Sequence, residues 1–384
     1  MKTKSLLLGS AAAMMAVTTA NAADIIIPEP EVVEYVRVCD AAGEGYFYIP
    51  GSETCLRISG YAQYEMNFDG NDENFVPTVG NDVIANPTPS IDILDNGDAY
   101  DKAWEARLLF EAWRQTELGE LTTVLRLTAG GDIDWQSNVN RLDRFLGQTD
   151  ANVTDIDIIG ARDLMVDRAY FELAGLRIGL DVSLWDTIGF GGPADAYNVG
   201  GPVTGVVRYT ADFGPATFAL SLEEDTSSAD YLPAAVASVG FAPGDFSANL
   251  AVAVQHVDVV PAGADRTLWG VKGNASYDFG PGAIGAGFQY SGNGWGDLTM
   301  YNTSYEWVLG ADVTFDATEA LELGLGFQYG INEATSPITL GTDDDWIIGA
   351  LASYDITETL NTNLRLRYDE DDDWSARLRF RSSF

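Results

Sequence analysis

Histidine and cysteine are almost missing from this 384-residue chain: it has a single histidine, His256, and two cysteines, Cys39 and Cys55. A zinc site needs more ligands than these supply, and His256 stands far from both cysteines in sequence. Nucleophilic catalysis finds no support either. The segment Ala-Val-Gln-His-Val-Asp around His256 places no nucleophile beside its base, so the chain reads as a non-enzyme with no cofactor and no metal. Basic residues are scarce as well: 21 Lys and Arg stand against 58 Asp and Glu, a net charge of −37 that repels polyanions and excludes nucleic acid as a partner. Beyond the first 22 residues, no apolar run approaches the ~20 residues that a helix needs to cross a bilayer.

What is present begins with an export signal. Lys2 and Lys4 precede the apolar run from Leu6 to Val17, and Ala20-Asn-Ala22 follows, the basic, apolar and small-residue order of a leader cut before Ala23. Removing the two lysines and no acids leaves −37 − 2 = −39 on the exported chain. Outside the reducing cytosol, Cys39 and Cys55 are expected to form a disulfide across a turn-rich loop, contributing roughly 3 kcal/mol in the chain-entropy model. Three regions result: a leader over 1–22, a periplasmic segment with the disulfide loop over 23–55, and the remainder over 56–384.

That remainder is written in strands. The last residues, Trp374-Ser-Ala-Arg-Leu-Arg-Phe-Arg-Ser-Ser-Phe384, alternate between an apolar face of Trp374, Ala376, Leu378, Phe380 and Phe384 and a polar face carrying Arg377, Arg379 and Arg381. Turned toward lipid, three arginines would cost on the order of 6 to 12 kcal/mol near the midplane, so the polar face must meet water. The same alternation recurs in segments near 56–66, 102–113, 120–129, 164–173, 176–185, 203–211, 216–224, 232–241, 245–257, 267–278, 283–291, 305–315, 321–330, 346–355, 360–369 and 374–384. Short turns such as Ala174-Gly175 and Asp278-Phe-Gly-Pro281 take turns with long connections such as Asn67–Asp101, Gly130–Asp163, Asp186–Gly201 and Gly292–Ser304. The pattern predicts an all-β fold, a 16-stranded antiparallel transmembrane β-barrel with short periplasmic turns and long extracellular loops. The segment 232–241 alternates poorly and is kept because an even count returns both chain ends to one rim. Gly-Ala-Gly-Phe-Gln-Tyr at 285–290 returns as Gly-Leu-Gly-Phe-Gln-Tyr at 324–329, an echo between hairpins.

Parity then assigns the lumen. Arg57, Arg107, Arg126, Arg168, Arg177, Arg208, Arg365, Arg367, Arg377 and Arg379 face inward, whereas Ile58, Leu108, Leu125, Leu364 and Leu366 face lipid. These arginines fall on strands one to six, fifteen and sixteen, so closure gives one basic wall and leaves the middle strands nearly uncharged inside. The same arginines could instead be neutralised by lumenal acids, with Glu105, Glu111, Glu172 and Asp181 in position to do so. Acidic runs at Asp343–Asp345 and Asp369–Asp373 belong on the long-loop rim, where they are solvated or share divalent ions with anionic lipopolysaccharide. Tyr64, Tyr209, Tyr277, Tyr290, Tyr329, Tyr354, Tyr368 and Trp374 suit an interfacial aromatic girdle.

Ala23-Asp24-Ile, Pro-Glu-Pro-Glu-Val-Val-Glu-Tyr-Val-Arg-Val-Cys-Asp over 28–40, Gly-Tyr-Phe-Tyr-Ile-Pro-Gly over 45–51 and Glu-Thr-Cys-Leu-Arg-Ile-Ser-Gly-Tyr over 53–61 resemble the alphaproteobacterial outer-membrane general porins of the Rhizobium and Brucella type. The resemblance implies a homotrimeric, water-filled channel for passive diffusion of small hydrophilic solutes and ions, with the third long loop folded inward. By its order in the chain, the segment from Trp185 to Gly201 resembles that constriction loop, and Asp186 and Asp195 are its only acids. They would oppose the arginine wall and set a transverse field. Phe384 resembles the family's signal to the barrel-insertion machinery. The rival reading is an occluded structural or adhesive barrel; a gated importer would need around 22 strands and a separate plug domain.

Overall fold

The computed structural model describes residues 37–69, 100–132, 163–197, 203–225, 232–257, 266–291, 305–336, 339–340 and 343–384. The leader over 1–22 and most of three of the expected long connections lie outside them. From Val38 onward the described residues form one compact unit.

Sixteen long strands run in chain order as β1 (Cys55–Asp69), β2 (Tyr100–Thr116), β3 (Gly119–Asp132), β4 (Asp163–Leu173), β5 (Leu176–Val182), β6 (Val203–Phe213), β7 (Ala216–Glu223) and β8 (Ala234–Phe241), then β9 (Phe246–Val257), β10 (Arg266–Asp278), β11 (Gly282–Ser291), β12 (Tyr305–Thr318), β13 (Leu321–Ser336), β14 (Asp345–Asp355), β15 (Leu360–Asp369) and β16 (Trp374–Ser383). Each pairs antiparallel with its sequence neighbour, and β16 pairs with β1 from Ser375↔Asp69 to Ser383↔Tyr61, which closes the barrel. At the chain end the Gly60 N–H donates to the Phe384 carbonyl at 3.1 Å and the Phe384 N–H donates to the Gly60 carbonyl at 3.0 Å, extending the seam by one more pair. Two-residue strands at Phe47–Tyr48 and Thr339–Leu340 attach to β1 and β13.

Strand parity is plain on β9. Leu250, Val252 and Val254 are 47%, 39% and 40% exposed on the outer face, while Ala251 and Ala253 between them are fully buried. The segment expected at 232–241 is a strand, β8, and its poor alternation has a physical cause: Ala234 and Val236, on the inner face, are buried against apolar partners rather than water. β5 stops three residues short of its sequence segment, because Ser183 turns the chain into a 3-10 turn at Leu184–Thr187. The two-residue hairpin between β4 and β5 has Ala174 at φ 48° and Gly175 at φ 84°, the left-handed pair that suits the strand twist. One β-bulge, where Arg126 faces Arg168 but Leu127 faces Val166, shifts the register of β3 against β4.

Ahead of β1, Cys39 and Cys55 form a disulfide, and with Tyr46 they make a buried cluster packed by Ala42, Tyr48 and Trp113. The Arg57 guanidinium lies 4.8 Å from the centre of the Tyr46 ring, so this cluster abuts the first lumenal arginine. Replacing both cysteines by serine should remove about 3 kcal/mol of local constraint. The expected readout is faster proteolysis within residues 38–54 with an unchanged strand circular-dichroism signal; equal proteolysis rates would assign the anchoring to aromatic packing alone.

Candidate functional site

The segment Ser183–Tyr197 lies along the inner wall and is held at both ends. At its root, Ser183 accepts from the Trp185 N–H at 3.1 Å and donates to Glu223 at 2.6 Å, and Glu223 also accepts from the Leu184 N–H at 2.8 Å. Trp185 is fully buried among Ala234, Val236, Ala251, Ala253 and Leu268, which is why these inward positions of β8 and β9 are apolar like the lipid-facing ones beside them. Lys272 lies 5.6 Å from the centre of the Trp185 ring and donates to the Trp185 carbonyl at 3.4 Å.

Farther along, the wall is shaped by missing side chains. A Cβ on Gly287 or Gly310 would stand 2.5 Å from Phe190, one on Gly326 would stand 2.1 Å from the Gly191 carbonyl oxygen, and one on Gly349 would stand 2.4 Å from Pro193. These glycines form a rail from β11 to β14 on which the segment rests. The two echoed hexapeptides have this role: Gly287 and Gln289 in one, Gly326 and Gln328 in the other, all face inward. Gln328, fully buried, clamps the tip by accepting from the Ala196 and Tyr197 N–H groups at 2.8 Å each and donating to the Phe190 carbonyl at 3.1 Å and to Asp195 at 3.2 Å. Asp312 accepts from the Gly191 N–H at 3.1 Å, and Arg367 donates to the Pro193 carbonyl at 3.0 Å and to the Asp195 carbonyl. Tyr197 packs on Tyr305 with ring centres 4.7 Å apart.

The wall from β15 and β16 through β1 to β6 carries the arginines, and they divide into two groups. Arg57 pairs with Glu111 at 2.7 Å, Arg107 with Glu105 at 3.1 Å, and Arg126 grips Asp167 with two bonds of 2.7 Å. Arg177 bridges Glu172 at 2.7 Å and Asp181 at 2.5 Å; Arg168 and Arg208 reach the same Asp181 at 3.3 Å and 3.5 Å. Arg208 also lies 3.8 Å from Glu223. These six arginines are neutralised in place, Asp181 being fully buried among three of them. The other four, Arg365, Arg367, Arg377 and Arg379, meet far less negative charge: Glu65 stands 4.0 Å from Arg377 and from Arg379.

The expectation of nearly uncharged middle strands is corrected by Lys272 on β10, Asp312 on β12 and Glu223 on β7, all facing inward where they hold the loop. Lys272 shares the parity of Leu268 and Gly270, so alternation alone points to it. Asp167 was hidden from parity: the bulge puts it and Arg168 on the same side. Asp186 lies at the loop root, where partial enclosure by protein raises its pKa against the opposing pull of Lys272 and Arg168. Tyr197, at the tip, is pushed up to about 12, chiefly by burial and then by the nearby Asp345 and Asp369. In the acidic rim runs, Asp345 accepts from the Tyr305 hydroxyl, Asp344 from the Tyr329 hydroxyl at 3.0 Å and the Asn332 N–H at 3.1 Å, and Asp369 from the Asp373 N–H at 3.1 Å, so part of each run is structural. Of the expected girdle, Tyr209, Tyr277, Tyr354 and Trp374 are exposed, while Tyr290 is stacked between Trp269 and Trp307 on the outer face.

A model of the porin subfamily matches residues 24–382. Porin Omp2a of Brucella ovis is 38% identical over 259 residues, which cover 64% of this chain and 68% of that protein. Porin Omp2a of Brucella canis is 38% identical over 272 residues, 67% of each chain. Among solved structures, the outer membrane channel DcaP of Acinetobacter baumannii superposes with a TM-score of 0.60 at 16% identity, covering 88% of this chain and 99% of that one. Salmonella typhi OmpF gives 0.56 at 12% identity, covering 86% and 98%. At these identities the structures speak for the fold alone.

Gln328→Ala would remove four hydrogen bonds from the tip at a net cost of about 2 to 6 kcal/mol, summing roughly 0.5–1.5 kcal/mol for each. The expected result is hydrogen exchange that rises across residues 190–197 and stays constant in the strands; unchanged protection there would assign the hold to the glycine rail and Arg367.

Proposed function

The chain belongs to the porin subfamily of outer-membrane channels, and from that premise we propose that small hydrophilic solutes and ions diffuse passively through its lumen and are filtered by size and charge where Ser183–Tyr197 narrows it. The observation that carries this reading is the seating of that segment on the glycine rail. A loop fastened along β8 to β15 leaves its free edge facing the arginine wall of β16 and β1 to β5, so passing solutes run between them. Asp186 and Asp195 supply negative charge on the loop side. Because Asp195 is bonded by Gln328 and its carbonyl by Arg367, it is a fixed charge rather than a mobile one, as a filter requires.

The remaining parts of the reading follow from placement. Residues 1–22 are removed at export, and residues 23–55 with the disulfide lie on the periplasmic side. Phe384, 68% exposed at the seam, offers its ring on the outer face to the barrel-insertion machinery. Three copies associate through lipid-facing residues, and the acidic long-loop rim meets lipopolysaccharide through shared cations. No step calls for a cofactor or for catalysis.

Purified protein in a planar bilayer under a salt gradient is expected to open in groups of three equal steps. Replacing Asp186 and Asp195 by asparagine should move the reversal potential toward anions. Openings without that shift would remove these two acids from the filter, and a silent bilayer from correctly folded protein would favour the occluded barrel. Asp186 also predicts a pH effect of known sign. Its raised pKa means that the negative charge is lost at a pH above the usual carboxylate value of about 4. Acidification should therefore shift the reversal potential toward anions before ordinary carboxylates titrate, and Asp186→Asn should abolish that early shift.

A further inference from the structure

Five arginines of β15 and β16 stand apart from the rest of the wall, and of these Arg381 is held by the neutral Gln63 at 2.7 Å and by the face of the Tyr61 ring. Arg367 is spent on the loop, through the Pro193 and Asp195 carbonyls. Arg365 lies two residues toward the short-turn rim on the same strand, about 7 Å below at the strand rise. Directly across from it in register is Arg377, and the next lumenal pair is Asn363 with Arg379. Like charges directly opposite on neighbouring strands are destabilising, so a fold with no use for Arg365 beside Arg377 would gain from losing one.

Compensation is incomplete. Glu65 stands 4.0 Å from both Arg377 and Arg379, and the Glu65 oxygen involved already accepts from Gln63 at 2.7 Å. Arg365 has no ion-pair partner among the described residues. The Nε atoms of Arg377 and Arg379 are sealed from solvent and have no acceptor, as is true of those of Arg107 and Arg168, but Arg107 and Arg168 each hold a carboxylate within 3.3 Å whereas Arg377 and Arg379 have only Glu65 at 4.0 Å. Three guanidiniums against one carboxylate leave two positive charges, with forked donors shaped for paired anionic oxygens.

We infer that Arg365, Arg377 and Arg379 form an anion subsite just below the constriction, taking small solutes that carry two negative charges on oxygen, such as dicarboxylates or phosphates. This rests on the channel reading above and names a solute class for it. In a chain of net charge −37, the subsite makes a local exception: a dianion repelled by the rim and by Asp186 meets attraction only after passing the loop, and is drawn on toward the short-turn side.

The test uses the purified full-length protein, with succinate and inorganic phosphate as probes and acetate as the monoanion control. Calorimetry on detergent-solubilised protein should show saturable succinate and phosphate binding and none for acetate, and the same two probes should produce brief current blockades in the bilayer. Arg365→Gln and Arg377→Gln should each weaken succinate about tenfold or more. Glu65→Gln, which removes the competing carboxylate, should strengthen it, and circular dichroism would verify that each variant folds. Open channels in which succinate and phosphate act no differently from acetate would overturn the subsite and leave the porin intact. Saturable succinate binding by a protein silent in bilayers would keep the subsite and overturn the open channel, whereas weakening by Glu65→Gln would overturn the charge argument.

Discussion

Backbone amides that cross hydrocarbon have no water to bond, so each must find its partner inside the protein, and a sheet satisfies this only by leaving no edge. Everything else in this molecule is arranged around that closure. The pairing of β16 with β1 converts a strip of sixteen strands into a wall, and the two backbone bonds between Gly60 and Phe384 carry the pairing to the final residue. Gly60 has no side chain at this seam, where a Cβ would stand 2.2 Å from the Arg107 carbonyl oxygen. Once the wall is closed, alternate side chains have only two solvents to choose between, lipid and lumen.

That binary choice explains how much could be read from residues alone. Ten arginines were placed inward by counting in twos, and their neighbours Ile58, Leu108, Leu125, Leu364 and Leu366 are exposed on the outer face. Counting fails where the backbone adds a residue, as at the bulge that brings Asp167 to the Arg126 side. It weakens again where the lumen face is dry, as on β8, because Ala234 and Val236 then look like their lipid-facing neighbours. The rail of glycines was visible as an echo between 285–290 and 324–329, but an echo does not say what lies on it. That needed the loop's path, which depends on contacts between residues more than a hundred positions apart, such as Gly191 with Asp312 and Ala196 with Gln328.

Lumenal charge has two different uses here. Around Asp181, three arginines and two further acids form a compact network in which nearly every charge is answered, and such a network stiffens the wall and contributes little field. On β15 and β16 the answering charges are sparse, and the same residue type presents its field to the water. A basic wall is therefore a misleading description when arginines alone are counted. What a solute meets is the sum over partners, and that sum changes sign and strength around the barrel.

The seat of Trp185 carries a consequence for how such a channel can change over time. Ala234, Val236, Ala251, Ala253 and Leu268 form an oily strip on a surface that would otherwise be wet, and the loop hides it. Shortening the loop would uncover that strip to the aqueous passage, where water wets it poorly, while enlarging any glycine of the rail would push the loop off its track. Bore and lining are thus inherited as a pair. A wider descendant of this barrel must rewrite the inner faces of β8 to β15 together with the loop, which makes the aperture far harder to alter by single substitutions than the charge that lines it.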